Sequence, residues 1–242
     1  MKTILISFAN NEKWNKSQIN LNKSSINKGI DYCLSYNPYN IDENFKLKNK
    51  HLLNSDVRGY GFWMWKSIII KQTLDLINEG DVVIYVDSGN TIINDLNFII
   101  NECIINDIIL FDNRDSNFNQ QIHLNKVWTK RDAFVLMDCD DKKYYDGYQV
   151  DASYQLYKKN NRTINFINEF MRFCENENII SDLPNITKEN LPEFKDHRHD
   201  QSIMSLMAIK HNITLYPEPS EWGNHLNRPY PQLFDHHRGR IF

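Results

Sequence analysis

Three short runs of almost wholly apolar residues, 3–7 (TILIS), 82–86 (VVIYV) and 108–111 (IILF), constrain most tightly how this chain can fold. Runs of that length without polar alternation are strands buried on both faces. Between them lie segments with apolar residues at helical spacing. In 65–78 these are positions 65, 68, 69, 70, 74, 76 and 77, with Gly80 placed to end the helix, and in 96–106 they include Phe98, Ile99 and Cys103. Strand and helix in alternation predict an α/β fold, a mostly parallel central sheet with helices on both faces.

The remaining chain extends this pattern. Residues 32–36 read as a second strand stopped by Pro38, and 148–157 as an extended strand or hairpin arm. Thr163 is placed to cap a helix whose core face is Ile167, Phe170, Met171 and Cys174. Residues 182–194 read as a long loop, 200–210 as a helix and 213–216 as a late strand. No repeat and no Pro-, Gly- or Ser-rich linker divides the chain, so a single domain over 1–242 is expected, with 217–242 an irregular tail closing the site.

A net charge of −3 argues against a general grip on a nucleic-acid backbone, and 12% aromatic residues argue against disorder. No apolar run approaches the roughly 20 residues that cross a bilayer, so no transmembrane segment is expected, and nothing at the N-terminus resembles a secretion signal. The four cysteines lack metal-ligand spacing and read as apolar residues of a reducing, cytoplasmic compartment.

In open α/β sheets the ligand crevice lies beyond the carboxyl ends of the strands. Asp87-Ser88-Gly89 follows 82–86 and suits a cation, a ribose hydroxyl or a phosphate, or else Asp87 only caps a turn. The stretch from Arg58 to Lys66 (RGYGFWMWK) interleaves two glycines with aromatics between two cations. It is either an anion-binding loop or an aromatic anchor for the core. In 197–202 (HRHDQS), Asp200 opens a helix, as a plain cap or as part of a site for a many-hydroxyl ligand. Asp138 to Asp141 (DCDD) reads as a solvated helix end, while Asp151 in 149–153 (QVDAS) is a candidate partner for a sugar hydroxyl. Trp128 and Trp222 are candidates for stacking on a pyranose, with core packing as the alternative.

Taken together, RGYGFWMWKSIII, EGDVVIYVDSG and HRHDQSIMSLM resemble a family of small bacterial and viral nucleotide-sugar transferases with the GT-A fold, over about 4–216. The resemblance gives Asp87 the first place of a DxD motif, with Gly89 where the second, metal-binding Asp usually stands. It implies donor binding by Phe8, Ala9, Asn10, Arg58, Lys66, Asp87, Ser88, Gly89 and Arg238, and catalysis by Asp200 and Gln201. Trp128, Asp151 and His199 fall on the acceptor side, and Asp87 with His237 would hold Mn²⁺ or Mg²⁺. The implied reaction takes a UDP- or GDP-type sugar donor to a glycan, lipid-linked or protein acceptor, with retention of anomeric configuration, as in polysaccharide biosynthesis. The alternative from another class is a non-catalytic nucleotide-sugar- or carbohydrate-binding protein with a degenerate DxD motif.

Overall fold

The computed structural model describes residues 1–113 and 123–237. The strands are β1 (Thr3–Phe8), β2 (Tyr32–Tyr36), β3 (Val82–Val86), β4 (Asn90–Ile92), β5 (Ile108–Asp112), β6 (Val150–Lys158), β7 (Leu215–Tyr216) and β8 (Phe234–His236). Six of them form one sheet in the order β2-β1-β3-β6-β5-β7, and β4 pairs with β8 in a separate ribbon. β6 runs antiparallel to β3 and β5, while the pairs β1–β2, β1–β3 and β5–β7 are parallel.

The continuous apolar runs are explained by two cores. Ile4 and Ile6 of β1 and Val83 and Tyr85 of β3 face one core, shared with the helices Trp65–Leu76, Asn161–Cys174 and Asp200–Lys210. Leu5, Val82, Ile84 and Val86 face the other, with helices Glu12–Ser24 and Asn97–Asn106. Alternate side chains of one strand thus enter opposite cores, which is why no polar alternation shows in the sequence. Among the described residues no helix is long and apolar enough to cross a membrane.

The segment expected to be an extended strand or hairpin arm is a strand, the nine-residue β6 inside the sheet. Other expectations are corrected. Thr163 is not the cap of its helix. Asn160 is, accepting the Thr163 amide at 2.9 Å, so Thr163 lies in the first turn. The tail expected to lack secondary structure contains β8, and its last residues, 238–242, fall outside the described residues. In 138–141, Asp141 caps the next short helix and Asp140 pairs with Arg131 at 2.9 Å and Lys188 at 2.7 Å.

The glycine–aromatic stretch adopts an unusual turn in which Gly59, Tyr60, Gly61, Phe62 and Trp63 all have positive φ, from 53° to 91°. Left-handed backbone costs an L-residue about 1–2 kcal/mol. Here Tyr60, Phe62 and Trp63 all bear that cost. Local contacts offset it. The Phe62 amide donates to the Arg58 carbonyl at 2.7 Å, and Trp65 Nε1 donates to the Gly59 carbonyl at 2.9 Å. The Trp65 ring stacks on Phe8 at 4.0 Å, and Phe62 stacks on His199 at 4.9 Å. The turn then delivers Lys66 onto the first turn of the helix that follows.

Two glycines separate backbone strain from crowding. A Cβ at Gly59 (φ +62°) would lie 2.4–2.6 Å from the Trp63 ring, whereas one at Gly80 (φ +85°) meets nothing within 4 Å. Gly80→Ala should cost the backbone term alone, about 1–2 kcal/mol, or roughly 2–8 °C in melting temperature. Gly59→Ala should cost about 1–3 kcal/mol more through overpacking. Equal melting temperatures for the two variants would show that Trp63 yields freely and does not brace the turn.

Candidate active site

A cleft of about 750 Å³ opens beyond the carboxyl ends of β1 and β3. At its base is Lys66, 3% exposed, with Nζ 2.6 Å from Asp200 Oδ2 and 3.6 Å from Asp87 Oδ1. The same ammonium donates to the Ala152 carbonyl at 3.1 Å and lies 4.9 Å from the centre of the Tyr85 ring. The Tyr85 hydroxyl donates to Asp87 Oδ1. Each member reaches this point from a different element. Asp87 directly follows β3, Lys66 enters on the helix Trp65–Leu76, and Asp200 occupies the first turn of the helix Asp200–Lys210, where the dipole favours a carboxylate.

Burial shapes the ionisation of this cluster. It pushes Asp200 up to about 6, with Lys66 pulling the value back and Asp87 adding to the rise. For Lys66, burial works to lower the pKa, but Asp200 and Asp87 outweigh it and the ammonium is held above its ordinary value. The phenol of Tyr85 is raised by burial and by Asp87. The cluster is a fixed cation framed by carboxylates, of which Asp87 keeps about a third of its side chain open to the cleft.

The cleft gathers many of the residues singled out in the sequence. Phe8, Asn10, Arg58, Ser88, Gly89 and His199 line it together with Lys66, Asp87, Asp200 and Gln201. Ala9 does not line it, being buried with its amide donating to the Tyr36 carbonyl. Arg58 is paired away from Asp87, 3.3 Å from Asp196 and 3.9 Å from Asp182, with its guanidinium 5.9 Å from the Trp63 ring centre. Trp128 lies behind the lining and carries Arg198, whose guanidinium sits 4.2 Å above its ring. Trp222 is exposed outside the cleft. Asp151 is not among the lining residues; it accepts the Ser153 amide at 2.8 Å, adds to the rise of the Lys66 ammonium, and helps burial raise Glu218 to about 8. Arg238 lies outside the described residues.

The tail histidine expected to hold a metal does not line the cleft. His237 is buried outside the lining, with its amide donating to the Gly89 carbonyl at 3.0 Å, while His236, paired in register with Asn90, faces the cleft. The sequence carried two adjacent histidines with no visible strand, so the side of the ribbon each would take was hidden. Tyr85 and Trp14 are among the lining residues that the sequence did not point to. Trp14 stands in the first turn of the helix Glu12–Ser24, donating its amide to the Asn11 side chain at 3.1 Å. The run Asn10-Asn11 followed by Glu12 was the available signal, a cap before an acidic first turn.

Among the described residues no group of three or more His, Cys, Asp or Glu side chains could hold a metal ion. Of the Asp and His side chains that line the cleft, Asp200 is closed on Lys66 and His199 is buried against the Ile180 carbonyl, while Asp87 stays partly open to the cleft. So small a set of open ligands fits only a cation that arrives with phosphate ligands of its own, since Mg²⁺ is commonly held by one or two carboxylates plus substrate phosphates.

Lys66→Met should expose the electrostatic design directly. Without the ammonium, Asp200 is a buried carboxylate near Asp87, and breaking such a pair costs about 3–5 kcal/mol. Its folded pKa then rises further above about 6. A carboxyl raised on folding is least unfavourable below its unfolded value and most unfavourable above its folded one. The melting-temperature deficit of Lys66→Met against wild type should therefore shrink between pH 7.5 and pH 5. A deficit that stays constant or grows on acidification would contradict the pairing.

No protein-family model and no curated protein matches the sequence. Among solved structures, the apo form of mouse xyloside xylosyltransferase 1 is similar over 97% of this chain and 96% of its own, with a TM-score of 0.52 and 6% identity. A glycosyltransferase involved in the glycosylation of the major capsid of PBCV-1 matches over 100% of both chains with a TM-score of 0.45 and 10% identity. The galactosyltransferase LgtC, in complex with donor and acceptor sugar analogs, matches over 97% and 86% with a TM-score of 0.44 and 13% identity. The likeness to the xylosyltransferase is one of fold, and the single α/β domain with its mixed, mostly parallel sheet has the GT-A glycosyltransferase architecture.

Proposed function

We propose that the protein is a glycosyltransferase that moves a sugar from a UDP- or GDP-type donor to a carbohydrate-containing acceptor, with retention of configuration. The observation that carries this reading is the buried Lys66 ammonium framed by Asp87 and Asp200 at the strand ends of a GT-A fold. When the bond from the anomeric carbon to the diphosphate oxygen breaks, both electrons leave with the diphosphate. A cation fixed beforehand in a dry site stabilises that growing charge without reorganising. Ser88 and Gly89 bring backbone close to the same place.

On the donor side, Trp14 offers a ring face for the nucleobase, beside Phe8 and Asn10 at the end of β1. Asp87 and His236 would hold a divalent cation bound with the diphosphate, and that ion would supply further neutralisation of the leaving group. Arg58, tied to Asp196 and Asp182 on the side of His199, belongs to the acceptor end of the cleft in this reading. Asp200 keeps Lys66 charged and placed. Gln201, next along the helix, offers its side-chain amide to the sugar as positive charge develops at the anomeric carbon. The acceptor hydroxyl adds its oxygen to that carbon from the face the diphosphate leaves, and its proton passes to the departing phosphate oxygen. A non-catalytic nucleotide-sugar-binding protein is the second reading, favoured by Gly89 in place of a second carboxylate.

Nucleotide release from a panel of UDP- and GDP-sugars separates the two readings. With Mn²⁺ and a competent acceptor the wild type should turn over at least one donor, Asp87→Ala should lose at least about 100-fold, and proton NMR of the first product should show the donor's anomeric configuration. Mn²⁺ alone should leave the melting temperature unchanged, and Mn²⁺ with the nucleoside diphosphate should raise it. Donor binding without turnover across acceptors would favour the binding protein, and an inverted product would overturn retention.

A further inference from the structure

Gln149, first residue of the 149–153 segment, is fully buried and lies outside the cleft lining, yet it touches a residue that lines it. It belongs to a row of side-chain amides whose polarity is dictated from one end. The backbone carbonyl of Tyr144 can only accept, so Asn125 must turn its NH₂ toward it, at 2.9 Å. Asn125 Oδ1 is then the acceptor for Gln149 Nε2 at 2.8 Å, and Thr129 Oγ1 lies 3.2 Å from the same nitrogen. With its NH₂ committed, Gln149 can offer only Oε1 to the next member, and Gln201 Nε2 donates to it at 3.1 Å.

Flipping the Gln201 amide would set its oxygen against Gln149 Oε1. Flipping Gln149 and Asn125 in turn to relieve that clash would end with Asn125 Oδ1 against the Tyr144 carbonyl. No flipped arrangement satisfies the row, and each buried polar group left without a partner costs about 1–3 kcal/mol. The arrangement therefore has one polarity, in which Gln201 spends its NH₂ on Gln149 and leaves its carbonyl oxygen outside the row, on a residue that lines the cleft.

We propose that Gln149 and Asn125 are positioning residues that fix Gln201 with its carbonyl oxygen, and not its NH₂, toward the reacting sugar. The inference rests on the glycosyl-transfer reading. A carbonyl oxygen favours positive charge developing at an anomeric carbon and accepts hydrogen bonds from sugar hydroxyls, whereas an NH₂ in its place would oppose that charge. Neither Gln149 nor Asn125 needs to touch substrate for this, and both are fully buried.

The test combines a rate cycle with a signal that does not depend on turnover. Gln149→Met keeps the chain length and removes the acceptor. It should lower kcat about 10- to 100-fold, the scale of a misplaced group, with the donor KM little changed. In a Gln201→Ala background the same substitution should add nothing, because the residue it acts through is gone. Gln149→Glu, which can accept from Gln201 whether ionised or neutral, should recover most of the lost kcat. Independently, the Gln201 side-chain NH₂, assigned in ¹⁵N spectra by its loss in Gln201→Ala, should exchange its hydrogens about tenfold faster in Gln149→Met than in wild type.

An unchanged Gln201 amide exchange in folded Gln149→Met would overturn the relay, and so would exchange in Gln149→Glu about tenfold faster than in wild type, where the acceptor is kept. Equal losses of kcat with and without Gln201 would overturn its role in the reaction. A wild type silent on every donor contradicts glycosyl transfer, and with it Gln201's role there, while the amide exchange still decides whether the relay exists.

Discussion

An ammonium removed from water is stable only where opposite charge and hydrogen-bond acceptors surround it, and Lys66 meets that condition through Asp87, Asp200 and the Ala152 carbonyl. This one contact joins the end of β3, the helix Trp65–Leu76, the helix Asp200–Lys210 and β6. It also explains the left-handed turn before it. Three L-residues accept positive φ there because the turn sets the aromatic rings against Phe8 and His199 and starts the helix at Trp65, next to the position where the lysine reaches both carboxylates.

Around this centre the cleft divides by chemistry. On the β1 side are Phe8, Asn10 and Trp14, a ring face with amides beside it. Beside His199, Arg58 is balanced by Asp182 and Asp196, and Arg198 lies over the Trp128 ring. Neighbouring acids and bases of that kind match a ligand that presents hydroxyls better than one with a large net charge. The C-terminal segment bounds the cleft through the β4–β8 ribbon, where the His236 amide donates to the Glu221 carboxylate at 3.0 Å.

Much of this was legible in the sequence, for a physical reason. Strands such as 82–86 that enter two cores leave an unbroken apolar run, and helix 200–210 begins and ends where its residues indicate. The motif residues Asp87, Lys66 and Asp200 were each visible, but their mutual contact was not, since it is made by tertiary packing of three separate elements. What the sequence concealed depends on pairing partners distant along the chain. β6 carries Asp151, Gln155 and Lys158 among its apolar residues, and its place inside the sheet shows only once β3 and β5 flank it. The choice between His236 and His237 depends on register with Asn90. The pairing of Arg58 with Asp182 and Asp196 was hidden in the same way, since both acids come from a loop with no pattern of its own.

A crystal structure of the protein with a nucleoside diphosphate and Mn²⁺ tests the central claim most directly. The diphosphate should lie against Lys66 and the Ser88–Gly89 backbone, the cation between it and Asp87, and the base against Trp14. Density for the diphosphate at the Arg58 end of the cleft, with Lys66 still closed on Asp87 and Asp200, would contradict the account.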